Sequence, residues 1–364
     1  MHKRLVQISF GDGFSGSAGI AILSSHLLSK INYDVTLIAS KKSLTEKRAL
    51  EKGVNVVSFD TTKNFKTLFS EVNQFCQNIC PKVIISHHSL DRKIGMKLKR
   101  KYPNNFLNIA YRHNVTKSTP IIGPYLYNRY FDSLIACSKG VGDSLLTSGI
   151  KKNKVKVIYN GILFPENIDE ISGKNIRKKY NLDCKIVIGL STWFHKERKG
   201  FDFLFNAFSK LEEKYVLLLV GIPNSDQQNV IEYAAEFNIK KERMVMPGYV
   251  DNIWEYYKAM DLFLLPSRSE GFSLALLEAA AAKLPIIASN IPGTNEFIIN
   301  NENGLLFELN NPDELLNGII RLTNDKILST KLAENANKKV LNNYTQENYI
   351  INLDNFLSES LAAF

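Results

Sequence analysis

Two glutamates with a spacing suited to ligand binding, Glu270 and Glu278, lie eight positions apart in a mostly apolar segment. Residues 272–282 are nearly all apolar, which predicts a helix that is buried on most of its surface. An unpaired carboxylate is almost never fully buried, because its desolvation is expensive. A hydroxyl-rich ligand would satisfy these acids. The alternative is that Ser267 and Glu270 form a helix capping box and Glu278 reaches a gap in the surface.

A basic loop at residues 195–200 provides a second candidate site between a predicted strand and a predicted helix. Arg198 and Lys199 could bind a diphosphate there, the arginine through its two-pronged guanidinium and the lysine as a point charge. The alternative is an exposed loop with ordinary surface charges.

A glycine-rich turn, Gly11-x-Gly13-x-x-Gly16, follows the first predicted strand and precedes a helix. Such a turn suits an anion or a sugar close to backbone amides at a helix N-terminus. A dinucleotide site also needs an acid after the second strand, where Lys41 and Lys42 stand instead. The lysines could suit a 2′-phosphate, so an NADP-linked oxidoreductase is one rival reading.

His113 follows a predicted strand at its carboxyl end, where α/β domains place their ligands. A structural histidine and a ligand-binding one are both open at this position. The sequence contains no Asp-x-Asp pair, so a divalent metal bound through such a pair is not supported. We expect no metal ion and no cofactor. It also contains no Walker loop and no glycine-flanked serine nucleophile.

The elements that must position these residues alternate between strand-like and helix-like patterns along the whole chain, which predicts parallel α/β sheets. We expect two doubly wound Rossmann-like domains that face a central cleft, joined by a turn-rich linker near residues 160–167. The expected division is 1–163 for the first domain, 164–342 for the second and 343–364 for a terminal segment. Within that segment, residues 343–361 have helical spacing.

Composition and charge narrow the class of protein. The 364 residues are 45% hydrophobic, with four scattered cysteines and no run long enough to span a membrane, so we expect a cytoplasmic protein. Residues 1–160 carry 25 basic and 9 acidic side chains, whereas residues 161–364 carry 21 and 27. A predicted helix presents a basic face that could rest on anionic lipid or simply be solvated. That face consists of Lys93, Lys97, Arg100 and Lys101. Nucleic acid is not expected, because no aromatic residues are interleaved with these bases.

Together these motifs resemble the GT-B glycosyltransferases of the retaining E-x7-E group, which are similar to glycosyltransferase family 4. The spacing from Glu270 to Glu278 fits that signature, as do the strands and turns on either side of it. The other matching segments are Ile158-Tyr159-Asn160-Gly161-Ile162, Lys199-Gly200-Phe201-Asp202, Met246-Pro247-Gly248-Tyr249, residues 293–296, Asn303-Gly304-Leu305-Leu306 and, in the first domain, Ser15-Gly16-Ser17-Ala18. The resemblance is dense in the second domain and covers the first only in outline.

The resemblance implies a role for each candidate residue around a nucleotide-sugar donor. Glu278 would hold the ribose hydroxyls, Glu270 would contact the transferred sugar, and Lys199 with Arg198 would neutralise the diphosphate. The backbone amides of Gly271, Phe272 and Ser273 would face the sugar and the diphosphate. Gly16 would let the first domain approach the donor phosphate. His113 would lie near the sugar and the acceptor. The terminal helix would return to the first, acceptor-binding domain.

The resemblance therefore implies a sugar transferase acting on a glycan or lipid-linked acceptor, as in lipopolysaccharide or capsule synthesis. It further implies retention of configuration and no metal. The basic first domain allows peripheral binding to the inner face of the cytoplasmic membrane. A non-catalytic partner subunit with the same fold is the second rival reading.

Overall fold

The computed structural model describes residues 3–11, 15–115 and 122–364. It divides the chain into two compact units, one of Met1–Asn160 with Gln346–Phe364 and one of Gly161–Thr345. This division falls within three residues of each boundary expected from the sequence.

In the described part of the first unit, seven parallel strands form one sheet in the spatial order β3-β2-β1-β4-β5-β6-β7. The strands are β1 (Lys3–Ser9), β2 (Tyr33–Ser40), β3 (Val56–Phe59), β4 (Val83–Ser86), β5 (Leu107–Arg112), β6 (Ser133–Ala136) and β7 (Val155–Val157). The order reverses between β1 and β4, and a doubly wound sheet binds ligands at this crossing point, beyond the carboxyl ends of the strands.

Helices cover both faces of this sheet, as parallel strands require, because their crossover connections pass over the faces. The helices are α1 (Gly16–Ser29), α2 (Leu44–Glu51), α3 (Phe65–Ile79), α4 (Ser89–Lys101), α5 (Ile122–Tyr130) and α6 (Lys139–Thr147). Most residues of the inner strands are buried, and Leu5, Val6 and Ile8 of β1 are at most 1% exposed.

The described second unit contains a parallel sheet of six strands in the order β10-β9-β8-β11-β12-β13. The strands are β8 (Ile186–Ser191), β9 (Tyr215–Val220), β10 (Met244–Gly248), β11 (Leu262–Leu265), β12 (Ile286–Ser289) and β13 (Leu305–Phe307). Its crossing point lies between β8 and β11. The short strand β13 was not expected from the sequence, because three residues are too few to show an alternating pattern.

The helices of the second unit pack around a core rich in phenylalanine. They are α7 (Lys174–Lys179), α8 (Phe201–Ser209), α9 (Asn224–Ala235), α10 (Ile253–Ala259), α11 (Leu274–Ala281), α12 (Pro312–Asn324) and α13 (Lys326–Asn343). Three aromatic side chains of α8, Phe201, Phe205 and Phe208, are completely buried against the sheet. They fix the loop that precedes α8.

The terminal helix α14 (Gln346–Ala363) belongs to the first unit. Its Asp354 accepts a hydrogen bond from the Tyr33 hydroxyl at 2.8 Å, and Leu353 and Leu357 are buried. The helix starts later than the expected 343–361, because Tyr344 and Thr345 pair with Ile162 of the linker instead of continuing α13. No helix among the described residues is long and apolar enough to span a membrane.

Gly189 in the centre of β8 provides a test of the packing in the second unit. A Cβ atom there would lie 2.0 Å from the Met260 sulfur, which is buried. We expect Gly189→Ala to lower the free energy of unfolding by about 1–3 kcal/mol through overpacking. In a Met260→Ala background the same change should cost much less, because the space is then open. Urea unfolding of all four proteins measures the coupling, and additive costs would contradict this account of the core.

Candidate functional site

A buried ion pair lies at the crossing point of the second sheet. The Lys199 Nζ atom is 2.7 Å from Glu270 Oε1, and their side chains are only 12% and 9% exposed. Lys199 ends the loop after β8, and Glu270 lies in the loop after β11. The two motifs singled out from the sequence are therefore brought into direct contact.

Two glycines allow neighbouring loops to approach the Glu270 loop closely, one before α8 and one after β12. Gly200 has a φ of 64°, and a Cβ atom there would lie 1.9 Å from the Pro266 carbonyl oxygen. Gly293 has a φ of 87°, and its Cβ would lie 2.2 Å from the Gly271 carbonyl oxygen. Only glycine fits such a left-handed conformation at so close an approach without strain. The backbone on both sides of Glu270 is thus fixed by contacts that exclude other residues.

Arg268 ties the two loops to each other. Its guanidinium makes a bidentate pair with Asp202 at 2.6 and 2.5 Å and lies 4.0 Å from the centre of the Phe203 ring. Its backbone N–H donates to the carbonyl of Arg198 at 2.9 Å. A planar bidentate pair fixes orientation as well as distance. Arg268 therefore positions the basic loop against the Glu270 loop, a role that the sequence analysis missed.

Glu270, Gly271 and Phe272 precede α11, whose N-cap is Ser273. The Ser273 hydroxyl accepts from the backbone N–H of Leu276 at 3.3 Å. The alternative of a capping box formed by Ser267 and Glu270 is therefore wrong, since the helix begins after both. The N-terminus of α11 and the Lys199 ammonium together form a positive environment that suits an anion.

Glu278 has found a protein partner on α10. Its Oε2 accepts a hydrogen bond from the Tyr257 hydroxyl at 2.8 Å, and Tyr257 is completely buried. Burial, and secondly the nearby Glu278 charge, raise the pKa of Tyr257 well above its usual value. The tyrosine therefore remains a hydrogen-bond donor that orients the carboxylate. The requirement for a partner was foreseen, but its identity was not.

His113 lies just after β5 in a stack of aromatic rings in the first unit. Its ring centre is 4.3 Å from that of Tyr111, and its Nε2 is 2.9 Å from His87 Nδ1. His87 Nε2 in turn lies 2.7 Å from the Gln7 side-chain oxygen, which can only accept. His87 therefore carries its proton on Nε2, so that His113 donates to it and keeps Nδ1 as an acceptor.

The histidine pair is held neutral. Burial is the main cause that lowers the pKa of both His87 and His113 well below their usual value, and nearby positive groups such as Arg92 add to it. A neutral His113 can accept a hydrogen bond from a sugar hydroxyl near pH 7.

The glycine-rich turn is described only in part, because residues 12–14, and with them Gly13, lie outside the described ranges. Gly16 begins α1, and Ser15 caps that helix by accepting from the Ala18 N–H at 3.3 Å. Ser17 Oγ lies 2.9 Å from His88 Nε2, and His88 Nδ1 lies 3.0 Å from Asp91 Oδ2. His88 and Asp91 form the capping box at the start of α4, and the sequence analysis did not single them out.

The basic helix face predicted on α4 is present, and all four of its residues, Lys93, Lys97, Arg100 and Lys101, are exposed. Lys97 also covers the rings of Phe65 and Phe69 of α3, at 5.2 and 4.2 Å from their centres. Part of this charge therefore stabilises the packing of α3 against α4. In the described ranges, no group of three or more His, Cys, Asp or Glu side chains could hold a metal ion.

Sequence comparison matches residues 173–339 to the family described as glycosyl transferases group 1. The galactosyltransferase of Escherichia coli named UDP-Gal:alpha-D-GlcNAc-diphosphoundecaprenol alpha-1,3-galactosyltransferase is 37% identical over 129 residues, 35% of this chain and 33% of that protein. The capsular polysaccharide biosynthesis glycosyltransferase CapM of Staphylococcus aureus is 27% identical over 223 residues, 59% of this chain and 58% of CapM. The chain thus spans about a third to three fifths of the length of these relatives.

Structure comparison covers the whole chain. Anabaena Alr3699/HepE, crystallised in complex with UDP and glucose, aligns with a TM-score of 0.86 at 17% identity over 98% of this chain and 100% of that one. This likeness confirms the predicted fold of two Rossmann-like units. Within the second unit, residues 173–339 are similar to the glycosyl transferases group 1. The NADP-linked oxidoreductase is not favoured by these matches.

The contact at Gly200 predicts a large effect on stability. Gly248, also in the second unit, has a φ of 78°, but its Cβ would meet a side-chain oxygen at 3.3 Å and a backbone oxygen at an ordinary 3.8 Å. We expect Gly248→Ala to cost about 1–2 kcal/mol for the left-handed conformation alone. Gly200→Ala should cost about 1–3 kcal/mol more, because the Pro266 backbone must also move. Equal midpoints of urea unfolding for the two variants would show that this contact does not constrain the loop.

Proposed function

We propose that this protein transfers a sugar, with retention of configuration, from a nucleoside-diphosphate sugar to a glycan or lipid-linked acceptor. The observation that carries the proposal is the Lys199–Glu270 pair at the crossing point of the second sheet, directly before the N-terminus of α11. A cation and a helix N-terminus suit the diphosphate, and a carboxylate suits the hydroxyls of a sugar.

In this proposal the leaving diphosphate interacts with Lys199, with Arg198 beside it and with the backbone amides of Gly271, Phe272 and Ser273. Charge develops on the diphosphate as the anomeric bond breaks, and preorganised donors stabilise that charge. Glu270 contacts the transferred sugar. Since Lys199 supplies the positive charge, we expect no requirement for a metal ion, and EDTA should leave the rate unchanged.

Glu278 binds the ribose hydroxyls of the donor in this proposal. Its hydrogen bond from Tyr257 fixes the plane of the carboxylate, and a carboxylate accepts several hydrogen bonds at once. In the first unit, His113 accepts from a hydroxyl of the sugar or of the acceptor through Nδ1, and Gly16 leaves room for the donor phosphate beside α1. The first unit is accordingly the acceptor-binding domain.

The names of the relatives support a role in bacterial surface polysaccharide synthesis. One relative is named for an acceptor on diphosphoundecaprenol and another for capsular polysaccharide. The basic face of α4 is compatible with an acceptor on an anionic membrane surface, as a cytoplasmic, peripheral enzyme requires. UDP sugars are the first donors to test, because the similar Anabaena structure contains UDP.

The main test compares donor turnover by variants of the central ion pair. We expect Glu270→Gln and Lys199→Ala each to reduce turnover by about 10²–10³-fold, because each removes a charge that faces the reacting groups. The matched controls are Lys210→Ala and Asp313→Asn, which break an exposed pair of 3.0 Å in the same unit. Turnover is followed by release of the nucleoside diphosphate, and the product anomer by NMR.

The rival readings predict different results in the same assays. A non-catalytic partner subunit would bind UDP, seen as a rise in melting temperature, but would show no turnover that depends on Glu270. An oxidoreductase would be stabilised by NADP and not by UDP. An inverted product anomer would contradict retention alone.

The membrane part of the proposal is tested by neutralising the basic face. Replacing Lys93, Lys97, Arg100 and Lys101 by glutamine keeps much of the side-chain packing and should weaken binding to anionic vesicles by about 1 kcal/mol per residue. The control replaces four other exposed lysines of the first unit, Lys30, Lys41, Lys47 and Lys52, and so removes the same charge. Equal loss in both proteins, measured by co-sedimentation with phosphatidylserine vesicles, would contradict a specific surface.

A further inference from the structure

A chain of buried polar side chains crosses the centre of the first sheet, and the proposed function uses only its last member, His113. Gln7 lies in the central strand β1 and is completely buried. Its amide nitrogen is 2.9 Å from Ser24 Oγ of α1, and its amide oxygen is 2.7 Å from His87 Nε2. His87 follows β4 and contacts His113, which follows β5. The chain therefore connects α1 with the carboxyl ends of two strands.

The chain has one direction, and a backbone carbonyl sets it. The Ser24 hydroxyl has a single proton, and its shortest contact is with the Ile20 carbonyl oxygen at 2.7 Å, which can only accept. Ser24 Oγ therefore accepts from the Gln7 amide nitrogen, and its contact with the amide oxygen is longer, at 3.1 Å. That oxygen faces His87 Nε2, which donates to it. His87 Nδ1 is then an acceptor, and His113 donates to it from Nε2.

The Nδ1 atom of His113 is the open end of the chain. His113 is partly exposed, whereas Gln7 and His87 are at most 2% exposed. Within the described ranges, the His113 ring has its one hydrogen bond with His87 and is held by stacking on Tyr111 at 4.3 Å. An unprotonated Nδ1 accepts a hydrogen bond from a ligand. It repels a group that presents only lone pairs, such as a sulfate or an ionised carboxylate.

Burial alone does not explain a glutamine at this position. Its neighbours in the same strand, Val6 and Ile8, are apolar and completely buried, as is usual for the central strand of a parallel sheet. An apolar side chain in place of Gln7 would avoid the cost of removing an amide from water. A buried polar network is favourable only when its members are satisfied, and it then fixes one arrangement of the core. What the Gln7 amide adds is a fixed position for the proton of His87.

We propose that Gln7 is a positioning residue that fixes the proton of His113 on Nε2 through His87, so that the ligand group bound by His113 is a hydrogen-bond donor. This proposal rests on the proposed function, in which His113 contacts a hydroxyl, and it adds the chemical class of the group. An uncharged sugar hydroxyl fits, whereas a sulfate or an ionised carboxylate does not. A side chain without an accepting oxygen at position 7 would release the proton of His87, and His113 would then present either form of Nδ1.

The test reads the proton positions by NMR of protein labelled with ¹⁵N in histidine. Ring nitrogens with and without a proton resonate at well-separated frequencies, and a mixture of tautomers gives intermediate values. In the wild type we expect a protonated Nε2 and an unprotonated Nδ1 for both His87 and His113. Gln7→Met has a similar size but no amide, so both rings should give intermediate values. His87→Gln and His113→Gln serve only to assign the signals.

Two further variants separate this role from packing. Gln77→Met on α3 is the matched control, because the Gln77 side-chain oxygen accepts from Asn73 at 3.0 Å, away from the histidines, and both rings should stay unchanged. Gln7→Glu keeps an accepting oxygen, so His87 Nε2 should stay protonated. A protonated Nδ1 on His113 in the wild type, or wild-type tautomers in Gln7→Met, would overturn the proposal. If Gln7→Met does not fold, the wild type and Gln7→Glu decide by the same spectra.

The class of ligand is tested with two small probes, methyl α-D-glucopyranoside and sulfate, each at high concentration. The glycoside has hydroxyls that donate and should shift the His113 Nδ1 signal, whereas sulfate only accepts and should leave it in place. A shift with sulfate, or none with the glycoside, would overturn the restriction to hydroxyls. These spectra need no turnover, so they are independent of the proposed function. That function fails separately if the wild type shows no turnover that depends on Glu270.

Discussion

The ion pair between Lys199 and Glu270 is the interaction on which the second unit's candidate site depends. Removing two charges from water costs several kcal/mol per ion, and the pair offsets that cost only if its geometry is well defined. The geometry is imposed from outside the pair by Gly200 against Pro266 and by Gly293 against Gly271. A buried ion pair contributes little net stability, because the cost of desolvation offsets the attraction between the charges. Its position is better explained by an anionic, hydroxyl-bearing ligand that shares the two charges.

Topology explains why the candidate residues gather in each unit although they are far apart in sequence. Each sheet reverses its strand order once, between β1 and β4 or between β8 and β11. The loops at that point diverge to opposite faces and leave space beyond the strand ends. Lys199 and Glu270 use this space in the second sheet, and Ser17 and His88 use it in the first. The reversal of strand order therefore positions a chemically different cluster in each sheet.

The sequence predicted every described strand except β13, the two-unit organisation and the acids, because apolar runs and misplaced charges are local signals. Glu270 stood out since a carboxylate inside an apolar segment needs a partner. That its partner is Lys199, 71 residues away, depends on the pairing of β8 with β11 and has no local signal. Tyr257 was missed because an aromatic residue in a helix looks like core. His88 and Asp91 were missed because their spacing matches ordinary capping.

The two clusters differ in charge in a way that fits a division of labour. In the second unit the groups at the crossing point are ionic, which suits the diphosphate of the proposed donor. In the first unit, burial lowers the pKa values of His87 and His113, so these rings remain neutral hydrogen-bonding groups. Neutral acceptors suit hydroxyl groups, because an unprotonated ring nitrogen can accept a hydrogen bond from them. The uneven charge of the chain thus belongs to the surface of the first unit, whereas the residues at its strand ends are suited to uncharged hydroxyls.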